Sequence, residues 1–394
     1  MNTRSKNTVL LLTLRTFSLT GGIEKVCRTM ARALSEICGD RGILLYSMYD
    51  DDEDLDQRYI RPENFRGFSQ VRGAFIWSAV LQGIRAQKVI LSHINLLSVA
   101  WLIKKVAPRT EIILVAHGIE VWRDLKSWKT KFIREGCSVW AVSNYTAGIL
   151  HEKHNIPREQ IQVLNNGLDP YFSVPEIRER PDSLVYRHGI LQSDPILFTL
   201  TRISSTEGYK GYDLVLEVLP EIIKIHPTLL YFIAGKADPA EQQRLEEMIR
   251  ALNLENNVVL PGYIPDEKIS KYYQLSDIFI MPSRKEGFGL VFIEAAACGT
   301  KVIAGNQDGS ADALLNGRLG TLVDPTDRTA IRDAILRNLS KTELHDRKAI
   351  QKACLRNFSY QAYREKLRKL VTVTTDLPHA AQGKTPQYEI IPAP

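Results

Sequence analysis

An α/β architecture of parallel sheets covered by helices is predicted by two observations. Apolar runs of strand length alternate with helix-period segments from end to end, and the alternation is interrupted once, so that it forms two series. The first series places strands at 9–14, 43–48, 88–92, 112–116, 139–142 and 160–164, and the second at 196–201, 229–234, 257–260, 278–281 and 301–304. Between them, 169–183 is rich in Pro and charge and has no period, which makes it the linker. Two Rossmann-like domains facing each other across a cleft follow. A length of 394 residues suffices for two separate cores. A helix is predicted at 360–373, and the Pro-bearing tail 377–394 is expected to be disordered.

Composition excludes several classes. At 44% hydrophobic and 24% charged the chain has an ordinary globular balance. Its longest N-terminal apolar run, 9–12, is too short for a signal-peptide core or a membrane span, so a cytoplasmic protein is expected. Five scattered cysteines without Cys-x-x-Cys spacing argue against a disulfide framework or a zinc site. A net charge of +6 without a long Lys/Arg block does not imply nucleic acid as a partner.

The most informative stretch is 283–299, SRKEGFGLVFIEAAACG. An apolar strand at 278–281 leads into a Gly-Phe-Gly turn, and 290–298 forms a helix that Gly299 stops. Gly287 and Gly289 lack a Cβ, so with Phe288 and Leu290 they let backbone N–H groups at a helix N-terminus approach an anion or a sugar hydroxyl. Glu286 stands at the mouth of this turn, and Glu294 lies one turn beyond Leu290, about 5 Å deeper along the axis. Two carboxylates offset along one diphosphate-binding helix suit a ligand with hydroxyls at both ends.

Other constellations fall at strand ends, where open sheets bind ligands. Gly21 and Gly22, in TGGIE, follow the first strand and open an amphipathic helix whose N–H groups can meet a phosphate. His117 follows the apolar run 112–116 directly. His151 and His154 are expected at the surface. Arg202 ends the first strand of the second domain and Lys210 opens the next helix, so a guanidinium and an ammonium stand where an open sheet binds its ligand. Gly235, Tyr263 and Ile264 end two further strands. The segments 141–144 and 165–169 read as a helix cap and a turn. The acidic run 50–56 reads as solvated surface and is rejected as a cation site. The segment 121–134 reads as one helix with Trp122, Leu125, Trp128 and Phe132 on one side and Arg123, Lys126, Lys131 and Arg134 on the other; an anionic membrane surface and ordinary core packing both fit.

The glutamate pair and its surroundings resemble the retaining glycosyltransferases of family 4, whose fold is the two-domain GT-B type, over residues 8–375. The resemblance implies an acceptor-side domain at 1–182, a nucleotide-sugar-binding domain at 183–359, and a helix at 360–376 returning to the first. It implies transfer of a sugar from a nucleoside diphosphate to an acceptor hydroxyl, on a lipid-linked or polysaccharide-precursor glycan, without a metal or other cofactor. Glu286 would hold donor-sugar hydroxyls, Glu294 the ribose, Arg202 and Lys210 the diphosphate with Gly21 and Gly22 opposite, and His117 the donor sugar. The base would rest by Gly235, Tyr263 and Ile264.

Two other classes stay open. A glycoside hydrolase also needs two carboxylates, but these flank the scissile bond at about 5–9.5 Å as acid and base. An NAD-dependent oxidoreductase of Rossmann type is disfavoured because neither Gly-rich loop has dinucleotide spacing.

Overall fold

The structure, a computed structural model, describes residues 9–39, 41–339 and 344–372. Two wholly parallel sheets divide the chain. The first has seven strands: β1 Val9–Thr13, β2 Ile43–Ser47, β3 Phe65–Gly67, β4 Lys88–Leu91, β5 Glu111–Ala116, β6 Ser138–Ala141 and β7 Ile161–Val163. Their order is β3-β2-β1-β4-β5-β6-β7. The second has six: β8 Ile196–Leu200, β9 Leu230–Ala234, β10 Val258–Gly262, β11 Ile278–Met281, β12 Lys301–Gly305 and β13 Thr321–Val323, in the order β10-β9-β8-β11-β12-β13. The strand order reverses beside β1 in one sheet and beside β8 in the other, the switch points where a parallel sheet opens a crevice.

Continuous apolar runs become the central strands because both faces are covered. All five residues of β1 are buried, with Leu11 facing Met30, Ala31 and Leu34 of the helix Gly22–Cys38 on one side, and Leu10 and Leu12 facing Phe75 and Ala79 of the helix Arg72–Gly83 on the other. Two edge strands escaped the sequence reading, β3 and β13. Each has three residues and no apolar run of its own. The helix Asp182–His188, which begins at the end of the stretch read as a linker, was also not foreseen.

Three local expectations change. The segment 121–134 is not one helix: Ile119–Trp122 and Ser127–Gly136 are separate, and Arg123 to Lys126 lies between them. Trp122, Leu125 and Phe132 pack onto the core of the first domain, and the Trp122 indole donates to Thr146 Oγ1 at 3.2 Å. Of the four apolar residues only Trp128 is exposed. His154 is buried rather than at the surface, with Nε2 2.7 Å from the Val121 carbonyl oxygen. Asp50 departs from the solvated run that follows it. It is fully buried and accepts from the backbone N–H of Thr16 at 2.6 Å and from Ser18 Oγ and Ser47 Oγ, fixing the loop that leads to Gly21.

The helix Tyr360–Thr372 lies along Gly22–Cys38, where Arg364 Nη1 donates to Glu36 Oε2 at 2.6 Å. The second domain's last helical segment therefore ends on the first domain. The tail 377–394 lies outside the described residues.

Candidate active site

A cleft of about 540 Å³ runs between the domains. Its walls come from residues just beyond the carboxyl ends of β1, β8, β9, β10 and β11. Gly21 and Gly22 line one side, and Arg202, Lys210, Gly235, Tyr263, Ile264, Glu286, Gly289, Leu290 and Glu294 the other. Gly21 caps the helix Gly22–Cys38 without any side-chain cap hydrogen bond, and the Glu24 carboxylate of the first turn lies beside Gly21 at the same end of the cleft.

The glutamate loop is built by two glycines for different reasons. Gly289 takes φ +84° immediately before the helix Leu290–Ala297, a conformation costly for any residue with a Cβ. At Gly287 the reason is contact, since a Cβ would stand 1.7 Å from the His117 carbonyl oxygen. The β5 end of the first domain and the glutamate loop of the second thus meet backbone to backbone. Phe288 turns away from the cleft into the core and meets Phe358 edge-on at 5.6 Å. It anchors the loop.

Each glutamate is held by a lysine. Lys210 Nζ donates to Glu286 Oε1, and both side chains are largely enclosed. Burial works to lower the Lys210 pKa, but the Glu286 carboxylate outweighs it and the net shift is upward. Deeper in, Glu294 is 4% exposed and accepts from Tyr273 Oη at 3.1 Å and from Lys25 Nζ at 3.3 Å. The Glu294 charge raises the Lys25 pKa, against the opposing effect of burial. Arg202 differs from both lysines. Its side chain is 68% exposed at the rim, with Nη1 3.2 Å from Glu207 Oε1.

His117 does not line the cleft. It is 9% exposed, and burial pushes its pKa down to about 4 against a hydrogen bond to the Ser92 backbone, so the ring is neutral at ordinary pH. Its Nε2 is buried without a partner among the described residues.

Several residues of the site were not read from the sequence. Lys25 stood one turn into the helix opened by Gly22, and that position was the signal available. Tyr273 and Asp308 gave none. Asp308 accepts from the Glu286 N–H at 2.7 Å through Oδ2 and from the Ser310 N–H at 2.9 Å through Oδ1, tying the glutamate loop to the loop after β12. A further bridge between domains joins Asp312 Oδ1 to the Asn144 N–H at 2.9 Å and to Asn144 Nδ2 at 2.6 Å.

Comparisons with known proteins place the fold and the family. The profile of glycosyl transferases group 1 matches residues 187–353, and that of glycosyltransferase family 4 matches 20–172. A GDP-mannose-dependent alpha-(1-6)-phosphatidylinositol monomannoside mannosyltransferase of Mycolicibacterium smegmatis is 32% identical over 57% of this chain and 59% of its own length. The mannosylfructose-phosphate synthase of Agrobacterium fabrum is 26% identical over 50% of this chain and 44% of its own. The aligned stretch thus spans about half the length of these relatives. Among solved structures, Anabaena HepE in complex with UDP superposes with a TM-score of 0.77 at 19% identity, covering 93% of this chain and 99% of that one. A glycosyltransferase from Rickettsia africae gives 0.76 at 22%, covering 94% and 100%. These likenesses establish the GT-B fold. With one profile on each domain, around a cleft that the two domains form together, the chain belongs to the family 4 glycosyltransferases of group 1 type.

Proposed function

We propose that this protein transfers a sugar from a nucleoside-diphosphate sugar to an acceptor hydroxyl, with retention of anomeric configuration and without a metal ion. The observation that carries the reading is the pair of lysine-held glutamates on the second-domain wall of the cleft, Glu286 with Lys210 and Glu294 with Lys25, the latter reaching across from the helix that Gly21 and Gly22 open on the facing wall.

Each group then has a task. The developing negative charge of the leaving diphosphate is met by Lys210, by Arg202 at the rim, and by the N–H groups after Gly21, all in place before reaction. Glu286, beside Lys210, accepts hydroxyls of the donor sugar. Glu294 accepts ribose hydroxyls through lone pairs that Tyr273 and Lys25 leave open. His117 is buried beside the cleft rather than lining it, and positions the glutamate loop through the close approach of its carbonyl to Gly287. Gly235, Tyr263 and Ile264 lie beside the base. The acceptor's proton passes to the leaving phosphate on the same face of the sugar, which gives retention. A lipid-linked or polysaccharide-precursor acceptor belongs to the same proposal, as does a cytoplasmic setting. The mannosyltransferase relative is named for a phosphatidylinositol acceptor and a GDP-mannose donor, whereas the HepE structures hold UDP and UDP-glucose.

Thermal-shift measurements across UDP-, GDP-, ADP- and dTDP-sugars, followed by proton NMR of the product anomer, test the proposal. One donor should stabilise the protein and yield a product of the donor's own anomeric configuration. Inversion would refute the mechanism. Sugar release from a glycan into water without any nucleotide would favour the hydrolase reading instead.

A further inference from the structure

Residues 66–110 contain seven cationic side chains and neither Asp nor Glu, while the whole chain carries +6, so everything outside this stretch sums to −1. The stretch holds two neighbouring helices, Arg72–Gly83 and Leu97–Val106, which pack side by side on one face of the first sheet. Their inward residues, Phe75, Ala79, Ala100 and Ile103, fill the core beneath. The helix Gly22–Cys38 and the C-terminal helix lie on the other face of that sheet.

The outward side is unusually apolar for a surface. Trp77, Leu81 and Ile84 follow one another at helical spacing and are all exposed, Trp77 by 68%. Beside them Trp101, Leu102 and Val106 are exposed as well. Cations border both rows: Arg72 and Arg85 flank the first helix, and Lys105 and Arg109 the second, all four exposed. Lys105 Nζ stands 5.2 Å from the centroid of the Trp101 ring. Trp128 extends the patch, because its helix Ser127–Gly136 packs next to Leu97–Val106.

We infer that this face, formed by the helices Arg72–Gly83 and Leu97–Val106, docks the protein on an anionic lipid surface. Tryptophans suit the headgroup boundary, with an apolar ring and a polar N–H, and Lys or Arg around them gain from negative headgroups. No helix among the described residues is long and apolar enough to cross a membrane, so the contact is one of lying on the surface. A second copy of the chain fits less well. A two-fold interface would set this same carboxylate-free stretch against itself. The docking face differs from the segment 121–134 singled out in the sequence, whose apolar side chains other than Trp128 point inward. It also leaves Gly21, Gly22 and Lys25 free, since their helix lies on the opposite face. The inference is independent of the sugar-transfer reading.

Co-sedimentation of the full chain tests it, without donor or acceptor, on vesicles of equal parts phosphatidylcholine and phosphatidylglycerol and on vesicles of phosphatidylcholine alone. The protein should pellet with the anionic vesicles and be released by salt. Lys105→Glu with Arg109→Glu should weaken partitioning about tenfold or more, and Trp77→Ser with Trp101→Ser should do the same, with circular dichroism and unfolding temperature unchanged because these side chains are exposed. The inference is overturned if the protein ignores anionic vesicles, or if both double variants bind as tightly as the wild type. It is equally overturned if the variants merely dissociate a dimer seen by analytical ultracentrifugation.

Discussion

Lys25 Nζ lies 3.3 Å from Glu294 Oε1, joining the helix that starts at Gly22 in the first domain to the helix that starts at Leu290 in the second. The side chains are 21% and 6% exposed, so the pair works at low dielectric; Lys25 has a second, longer contact to Asp266 at 3.7 Å, whereas Glu294 without Lys25 is a buried charge with Tyr273 beside it. Removing one end should therefore cost more than removing both. Calorimetric stabilities of Lys25→Met, Glu294→Gln and the double variant should show a coupling of about 1–3 kcal/mol. The Lys25 pKa is raised above 10.5, so its contribution is complete below that pH and is lost as pH climbs through the higher folded value. Wild type should lose stability above pH 10.5 by an increment that Lys25→Met does not lose. Additivity of the two single effects would remove the pair from any account of how the domains are held.

The two glutamates should separate chemistry from binding. Glu286 stands beside Lys210 where charge is proposed to develop, and Glu294 lies deeper, remote from the bond that breaks. Glu286→Gln should lower kcat about 10²-fold with little change in affinity for the free nucleoside diphosphate. Glu294→Gln should weaken that affinity by about 1–3 kcal/mol. Steady-state rates beside calorimetric titration distinguish them. Normal turnover in the first variant, or unchanged affinity in the second, would reassign both roles.

The legible part of the molecule was the part set by local pattern. Parallel strands buried on both faces read as apolar runs, and all eleven placed in the sequence overlap observed strands within two residues at each end, β10 at Val258–Gly262 being displaced furthest. A strand of three residues such as Phe65–Gly67 carries too little periodicity to be seen. The glutamate loop was legible because glycines and a helix start occur in fixed order, yet the reason for Gly287 was not. Its missing Cβ makes room for the His117 carbonyl, a contact between residues 170 positions apart. The partners of the glutamates were hidden for the same reason. Lys25, Tyr273 and Asp308 reach the site only through the packing of one element on another. Asp50 was misjudged by its acidic neighbours, because five hydrogen bonds from 16–18 and 47 outweigh a composition that by itself favours solvent.

The charge arrangement predicts independence from divalent cations. Lys210, Arg202 and the N–H groups behind Gly21 put fixed positive charge around the space proposed for the diphosphate, which is the task a metal ion performs in other sites. Turnover should continue unchanged in excess chelator. Loss of activity on chelation, restored by manganese, would overturn this and reopen the exposed carboxylates at 51–54.

Acid sensitivity should reside at Asp308. Burial pushes its pKa up to about 6 from 3.8, with the hydrogen bonds from Ser310 and the Glu286 backbone opposing the shift. As the folded value is raised, ionising the group costs stability above about pH 6, and that cost is absent below 3.8. Function should run the other way. Both carboxylate oxygens accept backbone N–H groups, Oδ2 from Glu286 and Oδ1 from Ser310, and a protonated carboxyl accepts the two together poorly. The Glu286 loop should therefore loosen, and turnover fall, as pH drops through about 6. His117 is not the source of this limb, because its pKa of about 4 keeps it neutral throughout. Asp308→Asn preserves size but turns one acceptor into a donor facing an N–H group, so kcat should fall about tenfold or more and the remaining activity should lose its dependence on pH between 5 and 7. Profiles of kcat against pH for the two proteins decide the matter: a variant that keeps the wild-type acidic limb would place the titrating group elsewhere.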